Sequence, residues 1–561
     1  METVVLVILL CVIALIIIIY GTIRNKRIRE YEIKQIAEGY GQECNRNYGE
    51  GEYAHIQGYY RVHSDASEDC YHVDDITWND LNMDDVYKSM NYSLSSAGDE
   101  YLYYLLRNPR PDACDHNRLN ELADHYMNNP DIRLDMSIKL HDAGRTGKYS
   151  IYDYINNLDT LGSKSAIKDY ALLAVYIVSI ILLIFISRGV GALLLAVSML
   201  YGGVSYFTRK SEIEPYVVSF SYILRLLKST SAIAGGNDEF LKPEKDALKE
   251  GVANMSAFNR MSGLIMNKRA GSGDPIELVM DYIRMFTHVD IIKFFHMRDE
   301  VDRHREDIDR LLTVTGFIDA AVSIGSYRTY LRRYCIPKQT ESGIKATGIY
   351  HPLISDPVAN DIEFNRGILL TGSNASGKST MLRTVTLAAI MAQSIVTVAA
   401  DSYEAPAFRV YTSLALNDSI LKGESYYMTE IRSLKRIIDA GKSGATQILA
   451  CVDEVLRGTN TVERISASAV IMKQLSEVNG IIMAATHDLE LTELLKDYYD
   501  NYHFEEIIEN DDIRFEYRLM TGSATTRNAI KLLDIMGYDK TLVKQAEEMA
   551  LNYMTIGEYR L

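Results

Sequence analysis

The stretch that most limits what this chain can fold into is "GILLTGSNASGKSTM", residues 367–381. A short apolar run, residues 368–370, breaks into Gly372-Ser373-Asn374-Ala375-Ser376-Gly377-Lys378-Ser379, and an apolar helical pattern opens at Met381. The loop fits G-x-x-x-x-G-K-[ST]. Such a loop works between a strand and a helix: its glycines let successive backbone N–H groups curl around phosphate oxygens, and the helix beginning at the lysine adds its positive end. Lys378 is expected to reach the β- and γ-phosphates, and the Ser379 hydroxyl to bind Mg²⁺. With Thr380, these nine residues form the expected ATP-binding set, with ATP and Mg²⁺ as cofactors.

Two further strand ends carry chemistry. In "ILACVDEVLRGTN", residues 448–460, an apolar run ends in two adjacent carboxylates. Asp453 is expected to hold Mg²⁺ through its shell, and Glu454 to orient or deprotonate the attacking water. The alternative is a strand end carrying solvated acids. In "IIMAATHDLELTEL" another apolar run ends at Thr486-His487. His487 is either a contact to the γ-phosphate or water, or a structural histidine. These runs alternate with helical stretches after residue 348, the pattern of buried parallel strands with crossover helices. The fold class expected is an α/β P-loop domain at the C-terminal end, preceded by an all-α part.

That all-α part contains segments of a different kind. Residues 3–20 are apolar without a charge, and Arg24, Lys26, Arg27 and Arg29 follow directly. The length suits a bilayer span. The absence of a basic leader and of an A-x-A site separates it from a secretory signal. Residues 171–186 and 190–207 are two more apolar runs, separated by Ser187-Arg188-Gly189. Lys164 and Lys168 precede the pair, and Arg209 and Lys210 follow it. Basic residues on both outer flanks point to a hairpin with both ends in the cytoplasm, and the N-terminus outside. A buried core hairpin is the alternative. Residues 291–336 read as one long amphipathic helix or two end to end, with Val301, Ile308, Leu311, Leu312 and Ile318 at three- and four-residue steps.

A net charge of −16 over 561 residues disfavours a generally basic, nucleic-acid-coating surface. The six cysteines lack C-x-x-C spacing and read as reduced thiols. Tyrosine is abundant, 39 against 13 phenylalanines, a pattern read as amphipathic filling of core edges.

The C-terminal motifs resemble the MutS ATPase domain, an ABC-type nucleotide-binding fold. The family loop G-P-N-x-x-G-K-S-T is matched except for Ser373 at the proline position. The acidic strand D-E-x-x-R-G-T is matched by Asp453-Glu454-Val455-Leu456-Arg457-Gly458-Thr459, and A-T-H-x-x-E-L-T by Ala485-Thr486-His487-Asp488-Leu489-Glu490-Leu491-Thr492. The signature S-x-F-M-x-E is matched by Ser425-Tyr426-Tyr427-Met428-Thr429-Glu430, with tyrosine for phenylalanine. The resemblance implies that Ser425 reaches the ATP of a second subunit, and hence a homodimer with two composite sites. It covers about residues 349–550 strongly. Upstream, "NYSLSSAGDEYLYYLLRNP" looks like the start of the family's helical core.

A mismatch-recognition domain is not expected. Phe504-Glu505-Glu506 stands in the wrong place for the family's Phe-x-Glu wedge. The expected division is 1–21 transmembrane anchor, 22–79 juxtamembrane connector, 80–168 first part of a helical core, 169–208 transmembrane hairpin, 209–347 second part of the core, and 348–561 ATPase domain. The expected protein is a multi-pass ATPase of the cell membrane with its ATPase domain in the cytoplasm. Its output would be the membrane or a protein partner, with DNA bound, if at all, without mismatch selectivity. The alternative is a tethered repair-type protein that recognises mismatched or branched DNA.

Overall fold

The computed structural model describes residues 2–49, 51–64, 71–110, 114–147, 151–156, 166–256, 258, 282–331, 333–373, 376–414, 426–443, 446–456, 459–509, 512–524, 530, 533–534 and 536–556. The chain forms two compact units. One comprises Met1–Glu68, Met90–Tyr104 and Glu121–Tyr330; the other comprises Asp69–Ser89, Leu105–Asn120 and Leu331–Leu561.

The first unit is helical. Its principal helices are α1 (Glu2–Gly39), α2 (Ser96–Arg107, whose last turn belongs to the other unit), α3 (Pro130–Ala143), α4 (Ile167–Ile181), α5 (Arg188–Ala234), α6 (Lys242–Asn254), α7 (Val289–Arg303) and α8 (Arg305–Leu331). The apolar run of residues 3–20 lies within α1, and its side chains up to residue 18 lie outside the described residues. The expected connector therefore begins as a continuation of this helix as far as Gly39. The stretch 291–336 resolves into two consecutive helices that meet at His304.

α4 continues through a wide π turn, Leu182–Ile186, in which the Ser187 N–H donates to the Leu182 carbonyl at 2.8 Å. Ser187 alone is extended, and the chain reverses there into α5. Among the residues whose side chains are described, Ile167–Ile186 and Arg188–Ile213 are the two helical segments long and apolar enough to cross a membrane, and only 22% of either apolar window is buried. At 1.5 Å per residue, 20 residues reach about 30 Å. What the two arms bury against each other is mainly small or polar, with Leu172 also enclosed: Ser179 and Ser198 are buried, and the Tyr176 hydroxyl donates to the Ser198 carbonyl at 3.0 Å. A Cβ at Gly202 would collide with that hydroxyl. The second arm runs on past the expected boundary at 208, since α5 continues through Pro215 as far as Ala234.

At the base of the hairpin, Asp169 and His288 are almost wholly buried. Asp169 accepts from Arg209 at 2.5 Å, and its other oxygen lies 2.8 Å from His288 Nδ1. His288 Nε2 lies 2.9 Å from the Gly202 carbonyl. Of the basic flank, Arg209 is thus paired inside the unit, Lys168 is exposed, and Lys164 lies outside the described residues.

The abundant tyrosines are partly explained here. Tyr59, Tyr101, Tyr104 and Tyr152 pack edge to face or tilted, with centroids 5.0–5.9 Å apart, and His63 stacks on Tyr59. Edge-to-face packing fills the core while the hydroxyls reach polar partners; Tyr152 donates to Asp309 at 2.9 Å.

The second unit holds all the described strands: β1 (Lys338–Gln339), β2 (Ile344–Ile349), β3 (Asn360–Phe364), β4 (Ile368–Thr371), β5 (Ser402–Ala405), β6 (Phe408–Ser413), β7 (Gln447–Asp453), β8 (Gly480–Ala485), β9 (Asp500–Glu509) and β10 (Asp512–Thr521). A four-stranded sheet has the order β1-β5-β2-β3, and a six-stranded sheet the order β10-β9-β4-β8-β7-β6. In the larger sheet β9, β4, β8, β7 and β6 are parallel, and β10 is an antiparallel edge. Its crossover helices are α9 (Lys378–Ser394), α10 (Tyr426–Ser443), α11 (Thr461–Ser476) and α12 (Leu489–Leu494); α13 (Lys540–Ile556) follows. The apolar runs that lead into the three motifs are β4, β7 and β8.

The helical segment Asp75–Asp80, expected partly in the connector, belongs to this unit. The reason is polar. Asp80 accepts from the Thr412 hydroxyl at 2.7 Å and the Leu414 N–H at 2.8 Å, and Asp74 pairs with Arg436 at 2.6 Å. The helical core expected to run to 347 likewise ends earlier, since the chain enters this unit at Leu331.

Candidate functional site

Parallel pairing puts the carboxyl ends of β4, β8 and β7 side by side, where α/β sheets bind ligands. The three motifs, spread over more than a hundred residues of chain, therefore meet in one cavity of about 470 Å³. β4 is buried along its whole length and delivers the loop. Gly372 and Gly377 have φ of 140° and 106°, values that side chains resist. Gly377 sits at the N-terminus of α9, so the helix starts at Lys378 as expected. Asn374, Ala375 and Ser425 lie outside the described residues.

Lys378 is buried, and its Nζ donates to the Gly372 and Ser373 carbonyls at 2.8 Å each. It also stands 3.5 Å from His487 Nε2. The ammonium thus bridges the loop's own backbone. Ser379 Oγ donates to Asp453 Oδ2 at 2.6 Å. A hydroxyl and a carboxylate converging on one point form the oxygen pair a hard cation such as Mg²⁺ accepts. Ser376, by contrast, encloses its hydroxyl without a partner among the described residues. Thr380 lines the cavity from the first turn of α9 and is itself exposed.

Glu454 leaves the strand in a left-handed conformation, φ 56°, while its N–H still donates to the Ala485 carbonyl of β8 at 2.9 Å. The turn is held from outside: the Leu456 N–H donates to Glu430, and Ser468 donates to the Val455 carbonyl at 3.0 Å. A bent strand end held in this way swings the Glu454 carboxylate to within 3.1 Å of His487 Nε2. His487 is therefore part of the cluster, and Glu454 is not a freely solvated acid.

Sequence reasoning passed over the cavity's other wall. His351 lies on it; burial, assisted by Arg383, pushes its imidazole down to about 4, so it is neutral near pH 7. Tyr517 lies on it too, at a bulge in β10 with φ 54°, its ring edge against Gly377. Asn360 holds that bulge by donating to the Tyr517 carbonyl at 3.0 Å and accepting from Leu519 N–H at 2.8 Å. Neither residue belongs to a short motif; Tyr517 comes in on β10, paired with β9, and His351 in the segment that follows β2. Behind the site, burial pushes the Cys451 thiol up to about 12, so it is an inert core thiol.

Residues 368–554 match the family model for MutS domain V. Similar curated proteins are named for mismatch repair. The chain is 28% identical over 286 residues to DNA mismatch repair protein MutS 2 of Haloarcula marismortui, an alignment covering 46% of this chain and 30% of that protein. It is 28% identical over 307 residues to DNA mismatch repair protein MutS of Fervidobacterium nodosum, covering 52% and 37%. It is 28% identical over 268 residues to DNA mismatch repair protein MutS of Natronomonas pharaonis, covering 46% and 31%. The chain thus spans about a third of the length of these relatives. The matched region includes β4 to β10 and all three motifs.

Proposed function

We propose that the protein is a membrane-anchored, MutS-like ATPase that binds and hydrolyses Mg·ATP as a dimer and couples this to its helical part and membrane segments. The observation that carries the reading is the convergence of Lys378, the Ser379–Asp453 contact and the Glu454–His487 pair in one cavity. Bound Mg²⁺ would neutralise phosphate charge, held by Ser379 and Asp453. Lys378 would exchange its two backbone carbonyls for phosphate oxygens. Glu454 would orient the attacking water and take its proton, with His487 keeping the carboxylate in place. The dimer rests on the resemblance, in which Ser425 serves the partner's nucleotide. Lys378→Ala is the direct test: it should remove most ATP binding and turnover, and native turnover would overturn the assignment.

The membrane part rests on the hairpin. Ile184, Phe185 and Leu200 are 64–78% exposed. Facing water, each such side chain forfeits about 1.5–3 kcal/mol of burial; facing lipid, none does. Small and polar residues between the two arms fit helix pairing in lipid. The proposed topology has the N-terminus and Arg188 outside and the ATPase domain in the cytoplasm. In sealed cells, an impermeant thiol reagent should label Arg188→Cys and spare Arg303→Cys, two exposed positions. Labelling of the second alone would reverse the orientation.

The relatives' names favour a second reading, a tethered protein that recognises mismatched or branched DNA. The net charge of −16 weighs against broad phosphate contact. Competition between homoduplex and single-mismatch DNA at about 150 mM salt separates the two: tenfold or greater mismatch selectivity would promote the second.

A further inference from the structure

Ser373 is the one departure from the family loop motif, standing where that motif has proline. Proline holds its own φ near −65° without help. Serine does not, so a loop that has lost the proline needs another restraint at this residue. The structure contains one. Ser373 Oγ donates to Glu506 Oε2 at 2.8 Å.

Glu506 is set up for this by its strand. It lies on β9, paired with Phe515 of β10, and only 9% of it is exposed. Two residues earlier, and so on the same face of the strand, Phe504 lines the cavity. The Phe504 carbonyl lies where a Cβ at Gly372 would be 2.8 Å away. β9 therefore follows the loop at two successive residues, by close backbone approach at Gly372 and by a carboxylate at Ser373. The Phe504-Glu505-Glu506 run, misplaced for a DNA wedge, has a use here.

We propose that Glu506 is a positioning residue for the phosphate-binding loop, its carboxylate fixing Ser373 in place of the missing proline. This rests on the loop binding ATP. The anchor also carries a disadvantage, since a carboxylate beside a polyphosphate site repels it. Two properties are thereby separable. The hydrogen bond organises the loop, and the charge opposes the ligand. Glutamine retains an acceptor oxygen and removes the charge, and alanine removes both.

The test is titration of the full chain in detergent micelles with an N-methylanthraniloyl ATP probe and Mg²⁺. Glu506→Ala should weaken binding about three- to tenfold, the worth of one hydrogen bond to a charged group less what the removed repulsion returns. Glu506→Gln should bind as tightly as the unaltered chain, or more tightly. Adding Ser373→Pro to Glu506→Ala should restore most of the lost affinity, because proline needs no hydroxyl anchor. A merely structural role for Glu506 would not be rescued by a change in the loop. Unchanged binding by Glu506→Ala, or failure of Ser373→Pro to restore it, would overturn the proposal. The ATP reading fails separately, if the unaltered chain does not bind the probe or if Lys378→Ala binds it equally well.

Discussion

In the six-stranded sheet, Ile368, Leu370 and Leu449 are fully enclosed and the polar groups gather at the strand ends, whereas in the hairpin Phe185 and Leu200 are 78% and 74% exposed and Ser179 and Asp169 are enclosed. The same kinds of residue are arranged in opposite senses. In the sheet, the hydrophobic effect of water drives the apolar side chains inward and leaves the carboxyl ends of the strands to carry Asp453, Glu454 and His487. On the proposed membrane reading that drive would be absent between the arms, and close approach and hydrogen bonding would hold them together instead. On that reading, burial reports the solvent for which each region is built.

The largest effect should come from the strand end. Glu454→Gln should keep ATP binding and lower turnover about 10²–10⁴-fold, the usual worth of a general base. Turnover at the native rate would remove the chemical half of the comparison. A truncation made once in each region then tests the other half. Leu449→Ala opens a cavity in a closed sheet and should cost about 2–5 kcal/mol. Leu200→Ala should change stability in detergent by no more than about 0.5 kcal/mol, as exposed substitutions do. Both are read by denaturant unfolding, and a Leu200→Ala cost equal to that of Leu449→Ala would make the hairpin an ordinary buried core.

Buried acids sharpen the contrast further. Asp169 at the hairpin base has Arg209 and His288 beside it. Asp319 on α8 accepts from the Leu94 and Ser95 N–H groups and the Ser95 hydroxyl, all neutral donors. Burial pushes the Asp319 carboxyl up from 3.8 to about 6. The native state therefore holds this proton more tightly than the unfolded chain does. Its contribution is fully present below 3.8 and is lost as the pH rises through about 6. The loss amounts to at most about 3 kcal/mol. Asp319→Asn should flatten the dependence of unfolding free energy on pH between 4 and 7 by that amount. An unchanged slope would show that Asp319 is ionised throughout.

Motifs of contiguous residues were legible because their geometry is local. Gly377 followed by Lys378 fixes a left-handed residue at a helix start, and an apolar run ending in Asp453-Glu454 fixes acids at a strand end. The alternatives left open were those in which a residue's role depends on something distant in the chain. His487 could be structural or functional until β8 was found between β4 and β7. Glu506 and Tyr517 gave no signal, because an acid within an acidic strand and a tyrosine among 39 are unremarkable until pairing with β4 and a bulge in β10 carry them to the loop.

The domain boundaries divide in the same way. Periodicity located helices well, but it could not assign residues 71–89 to the sheet-containing unit. That assignment depends on Asp80 accepting from Thr412 and Leu414, more than three hundred residues away. By itself, the sequence determined the chemical groups present, the strands and helices that carry them and the apolar runs, since covalent order and short-range sterics decide these. Only the tertiary structure decided which carboxylate faces which donor, where Ser373 finds its anchor and which apolar surfaces stay uncovered, because hydrogen bonds and burial are set by neighbours that chain order does not name.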